Sequence, residues 1–176
     1  RRHTGFDPLT GLVNRENLLN QLDGVTGEVS LGVILLNVNG MSDINEAVGN
    51  RGGDEVLIGI RDRMLPALRP EDVLARYGGD VFAVVRRSPQ DEDEVQRIAA
   101  ALTEALARPF ALGGMTLVVS ATVGAVFCDD HGRAHRDVVR LADAALKTAR
   151  RAGRGSTNVV HVGDGTEAST PRLAVE

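Results

Sequence analysis

Val73-Leu74-Ala75-Arg76-Tyr77-Gly78-Gly79-Asp80-Val81-Phe82-Ala83-Val84-Val85 consists of two short apolar runs, Val73 to Tyr77 and Val81 to Val85, about the turn Gly78-Gly79-Asp80. Short β-rich runs separated by a Gly-containing turn form a β-hairpin, here with an acid at its tip. The flanking segments alternate between helix and strand patterns, which alone would suit a doubly wound parallel sheet. A tight hairpin cannot join parallel strands, so the expected fold is a mixed α+β sheet.

Upstream of the hairpin, Asn14 is placed to cap a short helix whose apolar positions Leu18, Leu19 and Leu22 recur at helical spacing until Asp23-Gly24. Val29 to Val38 is mostly apolar and β-branched, as a strand buried on both faces in the middle of a sheet requires. The polar stretch Asn39-Gly40-Met41-Ser42-Asp43 ends it. From Asp54 to Leu68 the residues Val56, Leu57, Ile60, Met64 and Leu65 mark one face of a core helix, with Pro66 and Pro70 near its end. Downstream, Asp91 to Leu106 opens with acids suited to a helix N-terminus, and Met115 to Phe127 is β-rich. Arg136 to Ala152 reads as a helix with a basic last turn stopped by Gly153, and Val159 to Val162 as a final edge strand.

The chain has 176 residues, and its 43% hydrophobic and 25% charged content exclude disorder of the whole. A chain of this length buries roughly 70% of its unfolded surface and needs no disulfide or structural metal. Its single cysteine, Cys128, cannot form an internal bridge or a zinc cluster, which fits a reducing compartment; the expected location is cytoplasmic. Asp129 and Asp130 beside that thiol argue against an activated thiolate. The net charge of −4 disfavours a basic face for long nucleic acid, while a local basic cluster is enough for a small anionic ligand. The most apolar segment, Met115 to Cys128, is interrupted by Thr116, Ser120 and Thr122 and falls short of the ~20 residues of a membrane span; no signal peptide opens the chain. His3, His131, His135 and His161 show no metal-ligand spacing.

Asp7-Pro8-Leu9-Thr10-Gly11-Leu12-Val13-Asn14-Arg15, Asn45, Gly49 to Asp54, Arg76 to Phe82, Ala142-Asp143-Ala144-Ala145-Leu146 and Gly153-Arg154 together resemble the GGDEF family of diguanylate cyclase domains. The resemblance spans residues 7–162. It leaves 1–6 as the end of an upstream linker and 163–176 as a C-terminal linker or tail of a longer protein. It implies a nucleotidyl-cyclase palm of ferredoxin-like type, a mostly antiparallel central sheet wrapped by helices. It also implies two domains facing each other, each holding a GTP, that join them into cyclic di-GMP with divalent metal. The metal steadies charge developing at the α-phosphate while the 3′-hydroxyl attacks.

Against that pattern this chain departs at its acids. The metal-binding aspartate that the resemblance places near the end of the central strand is Asn37, and a second acid two residues on is Asn39. The lysine expected in the following turn is Ser42. The hairpin signature keeps its third position as Asp80, a weak metal ligand without a partner acid, but its fourth is Val81. One lost electrostatic group typically costs ~10²–10³ in rate, so no catalytic residue is expected and the domain reads as an inactive member. The recognition groups are retained. Asn45 and Asp54 stand where the family reads guanine, Gly78 and Gly79 in the signature turn, and Arg150 and Arg154 where it holds terminal phosphates. The last two are four residues apart and reach together if the helical path continues. Arg69-Pro70-Glu71-Asp72 fits the Arg-x-x-Asp inhibitory site that binds cyclic di-GMP.

The expected function is a regulatory module that binds a guanine nucleotide, GTP (with Mg²⁺ as its companion) or cyclic di-GMP, in bacterial cyclic di-GMP signalling. Its expected partners are a second copy of the domain and adjoining sensory or phosphodiesterase domains. Two alternatives stand beside it: a weak diguanylate cyclase, and a nucleotide-free dimerisation or interaction module. Each site residue also has a plain structural reading. Asn45 and Asp54 suit helix caps, and Arg150, Arg151 and Arg154 suit a solvated helix C-terminus. Arg69 and Asp72 suit a surface ion pair, and Asp80 a turn acid.

Overall fold

β2 (Leu31–Asn39) runs through the centre of the molecule, and every residue from Leu31 to Val38 is buried. Such a continuous apolar run needs cover on both faces. In this computed structural model, which describes residues 4–23, 29–163 and the backbone of 172–174, that cover comes from helices on each side of one sheet. His3, Gly24 and most of the expected tail lie outside the described residues.

β1 (Val13–Asn14), β3 (Val73–Arg76), β4 (Val81–Arg87), β7 (Ser120–Cys128), β8 (Thr157–Val162) and β9 (Arg172–Ala174) complete the sheet. Its strand order is β1-β3-β4-β2-β7-β8-β9. β2 is antiparallel to both β4 and β7, and β3 to β4, whereas β1 pairs β3 and β7 pairs β8 in parallel. The fold is α+β with a mostly antiparallel sheet.

Strand alternation sorts side chains to two cores. Ile34, Leu36 and Val38 meet α2 (Met41–Met64) and α3 (Glu92–Ala107) through Ile60, Met64, Leu102 and Leu106. Val33 and Leu35 meet α1 (Arg15–Leu22) and α4 (His135–Ala152) through Leu18, Val139 and Leu146. Gly124 brings α4 onto β7, because a Cβ there would lie 2.1 Å from the backbone nitrogen of Leu146. α1 and α3 start at Asn14 and Asp91, whose side chains accept from the amides of Asn17 and Glu94.

Four expectations are corrected. The polar stretch after β2 is the start of α2, which begins at Met41 behind Gly40 (φ 84°) and breaks at Gly49 (φ 74°, ψ 170°). Its first segment, 41–48, is too short and too polar to show a periodic face. The core helix ends at Met64, with a 3₁₀ turn over Leu65–Ala67 that Pro66 shapes. The β-rich segment from Met115 is two elements, since β6 (Met115–Leu117) folds back on β5 (Phe110–Leu112) through Gly113-Gly114 before β7 begins. β8 is not the edge, because β9 pairs outside it.

Candidate functional site

At the end of β2 a polar network replaces the apolar core. Asn37 faces Val81 on β4 and Thr122 on β7, and Asn39 faces Ser120. Arg150, from the last turn of α4, donates through Nη2 to Asn37 Oδ1 at 2.8 Å. Asn37 Nδ2 donates to Asn39 Oδ1 at 3.2 Å, and Asn39 Nδ2 donates to Ser120 Oγ and Thr122 Oγ1, both at 3.0 Å. The Thr122 hydroxyl in turn accepts from the Gly155 amide at 3.2 Å. Sequence reasoning singled out Asn37, Asn39 and Arg150 and missed Ser120, Thr122 and Gly155. The signal for the first two was their i, i+2 spacing at the head of a strand, which puts both hydroxyls on one face.

This donor set does not fit the divalent ion that the resemblance implies. Mg²⁺ wants near-octahedral oxygens and binds through carboxylates and water. Both carboxamide oxygens here are engaged, that of Asn37 by a guanidinium. Val81, 9% exposed and packed into the α4-side core, offers no oxygen from its side chain. Asp80 is the single acid of the signature turn, and its backbone carbonyl accepts from Val38 N at 2.8 Å.

The signature turn is held rigidly. Tyr77 N and Gly78 N both donate to Val81 O, at 2.8 and 3.0 Å. Arg76 donates to the carbonyl oxygens of Gly78 and Gly79, and through Nη1 to Asp7 at 3.1 Å. Asp7 also accepts from the Thr10 amide and hydroxyl, so the Asp7-Pro8-Leu9-Thr10 turn clamps the hairpin. Burial pushes the Asp7 carboxyl up, but the Thr10 hydrogen bonds and the Arg76 charge outweigh it and hold it below its ordinary value. The Gly79 side of the turn faces open space.

The break at Gly49 folds the two segments of α2 so that Asn45 lies over Gly53. A Cβ on Gly53 would sit 1.7 Å from Asn45 Oδ1, so only glycine admits the amide there. Asp54, next in the chain, is exposed, as is Ser42 at the start of α2. Arg154 is not on the helical path of Arg150. α4 ends at Ala152, Gly153 (φ 126°) turns the chain, and Arg154 stands exposed in the following turn.

Arg69 and Asp72 are not a simple pair. The Asp72 side chain, 1% exposed, is bound by Arg86 through Nη2 at 2.6 Å and Nε at 3.0 Å, and caps the Arg69 amide at 2.8 Å. Arg69, 57% exposed, reaches Glu94 at 3.5 Å. Both border a cavity of about 540 Å³ lined also by Leu12, Leu65 and Leu68. A larger cavity of about 680 Å³ lies beside the start of β2, among Asp91, Asp93, Asp129 and His131, and its acids do not suit a phosphate.

None of the described helices is long and apolar enough to cross a membrane. The chain is 31% identical over 152 residues to the cyclic di-GMP phosphodiesterase PdeR of Escherichia coli (strain K12), covering 85% of this chain and 23% of that protein. It is 30% identical over 164 residues to the diguanylate cyclase TpbB of Pseudomonas aeruginosa (strain UCBPP-PA14), covering 90% of this chain and 38% of that one. It thus spans well under half the length of either relative. The GGDEF domain of the Pseudomonas aeruginosa PAO1 protein TpbB or YfiN superposes with a TM-score of 0.79 at 29% identity, covering 88% of this chain and 93% of that one. The profile described as "Diguanylate cyclase, GGDEF domain" matches residues 4–156, from the Asp7 clamp through the hairpin to the turn after α4. A central β2 flanked by that clamped hairpin, with α4 seated on Gly124, is accordingly the arrangement of a known family, and this chain belongs to the GGDEF, or diguanylate cyclase, domain family.

Proposed function

We propose that this domain is a catalytically silent, guanine-nucleotide-binding regulatory module in bacterial cyclic di-GMP signalling, acting on domains joined to it in a longer protein. The observation that carries this reading is the Arg150 to Asn37 hydrogen bond: where a cyclase needs charged oxygens for metal, this chain has a carboxamide engaged by a cation. Loss of preorganised charge at the reacting phosphate removes transition-state stabilisation while leaving ground-state recognition standing. Asn45, held over Gly53 beside exposed Asp54, supplies donors and acceptors that complement a guanine edge. This reading assigns the phosphates to Arg150 and the Gly78-Gly79 turn.

Between the two candidate nucleotides, the geometry favours GTP at this site. The Asp72 carboxylate is spent on Arg86 and the Arg69 amide, which leaves exposed Arg69 to receive cyclic di-GMP without its acid partner. The test is a calorimetric titration with GTP beside an assay for cyclic di-GMP formation. Saturable micromolar binding without product is expected. Product formation that Asp80→Ala abolishes would establish the weak cyclase instead, and no binding of either nucleotide would leave an interaction module.

A further inference from the structure

We infer that the position where the family resemblance places a metal-binding acid is, in this chain, an anion pocket that takes nucleotide phosphates without a divalent ion. The inference rests on the nucleotide reading above and adds the chemistry of its phosphate end.

The argument begins with charge. Asn37 and Val81 are both neutral, so the two positions opposite each other at the strand ends contribute no negative field. Arg150 brings a guanidinium to the same place. Arg69, Arg76 and Arg86 each have a carboxylate within ion-pair reach, but among the described residues none lies within that reach of Arg150. Among the described residues its guanidinium bonds to the neutral oxygen of Asn37. A guanidinium carries five N–H donors, and this bond uses one. The side chain is therefore positioned but not neutralised, and it stands at an exposed place on α4.

The network behind it makes that position specific. Asn37 Nδ2 donates to Asn39, and Asn39 Nδ2 donates to Ser120 and Thr122. These bonds fix the carboxamides with the oxygen of Asn37 turned to Arg150. A divalent ion entering here would have to displace the guanidinium from that oxygen and then sit beside a like charge. A polyphosphate meets an oriented cation of opposite charge and accepts from its free N–H groups. A charge-assisted, forked hydrogen bond to phosphate is the interaction this side chain is built for.

The experiment is calorimetry on the whole chain with three titrations: GTP in EDTA, GTP in excess Mg²⁺, and inorganic tripolyphosphate in EDTA. The expected result is GTP binding in EDTA within about threefold of that in Mg²⁺, and measurable tripolyphosphate binding. Arg150→Ala should weaken both anions by roughly tenfold or more without changing the thermal melt, and Arg150→Lys should recover part of the loss. GTP binding seen only with Mg²⁺ overturns this inference and leaves the nucleotide reading standing. Tripolyphosphate binding with no preference for GTP supports the pocket and overturns guanine recognition. No tripolyphosphate binding in EDTA, or an Arg150→Ala variant that binds like the parent, overturns the pocket.

Discussion

Asn37 on β2 and Val81 on β4 are cross-strand partners, so two of the three positions where the resemblance expects acids, 37, 39 and 81, share one spot and both are neutral. Arg150 fills that spot from above. Restoring Asn37→Asp and Val81→Glu together is therefore expected to give no cyclic di-GMP from GTP and Mg²⁺. The new aspartate would stand within 2.8 Å of a guanidinium and pair with it rather than with metal. Turnover is expected only when Arg150→Lys is added, with Ser42→Lys raising it further. Chromatography of the reaction mixture decides the matter, and product from the double variant alone would show that Arg150 does not block the site.

Val81→Glu by itself should also cost stability. The side chain packs against the α4-side core and is 9% exposed, so a charged carboxylate there loses much of its hydration, and the nearby Arg150 is held by Asn37 rather than aimed at it. We expect a loss of about 1–3 kcal/mol at pH 7 in urea denaturation. The group's folded pKa would be raised, so the penalty is absent below the unfolded-state value, grows as pH rises from that value to the folded one, and is complete above it. A midpoint equally lowered at pH 5 and pH 8 would contradict that origin.

Much of this arrangement was legible in the sequence because its signals are local. The hairpin at Gly78-Gly79, the continuous burial of β2 and the Asn14 cap follow from residues adjacent in the chain. The Asn37, Asn39 and Val81 substitutions were visible as departures at motif positions. What was not legible depends on approach in space. The Arg-x-x-Asp spacing puts Asp72 beside Arg69 as a second ligand, whereas its carboxylate is held by the side chain of Arg86 on β4, fourteen residues on, and meets Arg69 at the backbone amide. Arg150 and Arg154 look like one helical pair until Gly153 turns the chain between them. The role of Gly124 cannot be inferred without knowing that α4 crosses it, and the segment 41–48 is too short for its periodicity to speak.

Two glycine substitutions should separate fold from site. Gly124→Ala places a methyl 2.1 Å from the backbone nitrogen of Leu146, and neither a β-strand nor a helix backbone can yield locally. It should destabilise by roughly 3 kcal/mol or more, the overpacking range at its upper end, visible as a large fall in Tm. Gly53→Ala instead meets the side chain of Asn45, which is partly exposed and can rotate away. That variant should keep most of its stability and lose guanine preference, measured as the ratio of GTP to tripolyphosphate affinity. An unchanged ratio would remove Asn45 from the recognition site.

The Asp72 to Arg86 pair predicts the acid limb of stability. Burial pushes the Asp72 carboxyl up, but the hydrogen bonds from Arg86 and the Arg69 amide, with the charges of both arginines, outweigh it and hold the group below its ordinary value. A carboxyl depressed in the folded state adds stability that is complete above the unfolded value of about 3.9 and is lost as pH falls through the folded one. His135 acts earlier on the same limb. It is buried, and desolvation, aided by the charge of Arg87, lowers its pKa, so the folded chain resists a proton that the unfolded chain accepts from about pH 6.5 downward. Stability measured by urea denaturation should therefore decline in two stages, a first below about pH 6.5 and a second below about pH 4. His135→Phe should flatten the first and leave the second, and Asp72→Asn should leave the first and shrink the second, to which Asp7 also contributes. Asp72→Asn should in addition cost about 3–5 kcal/mol at pH 7, because Arg86 would keep its buried charge without a counterion. A single acid transition unmoved by either substitution would place the proton-linked stability elsewhere, with the Asp7 clamp as the next group to replace.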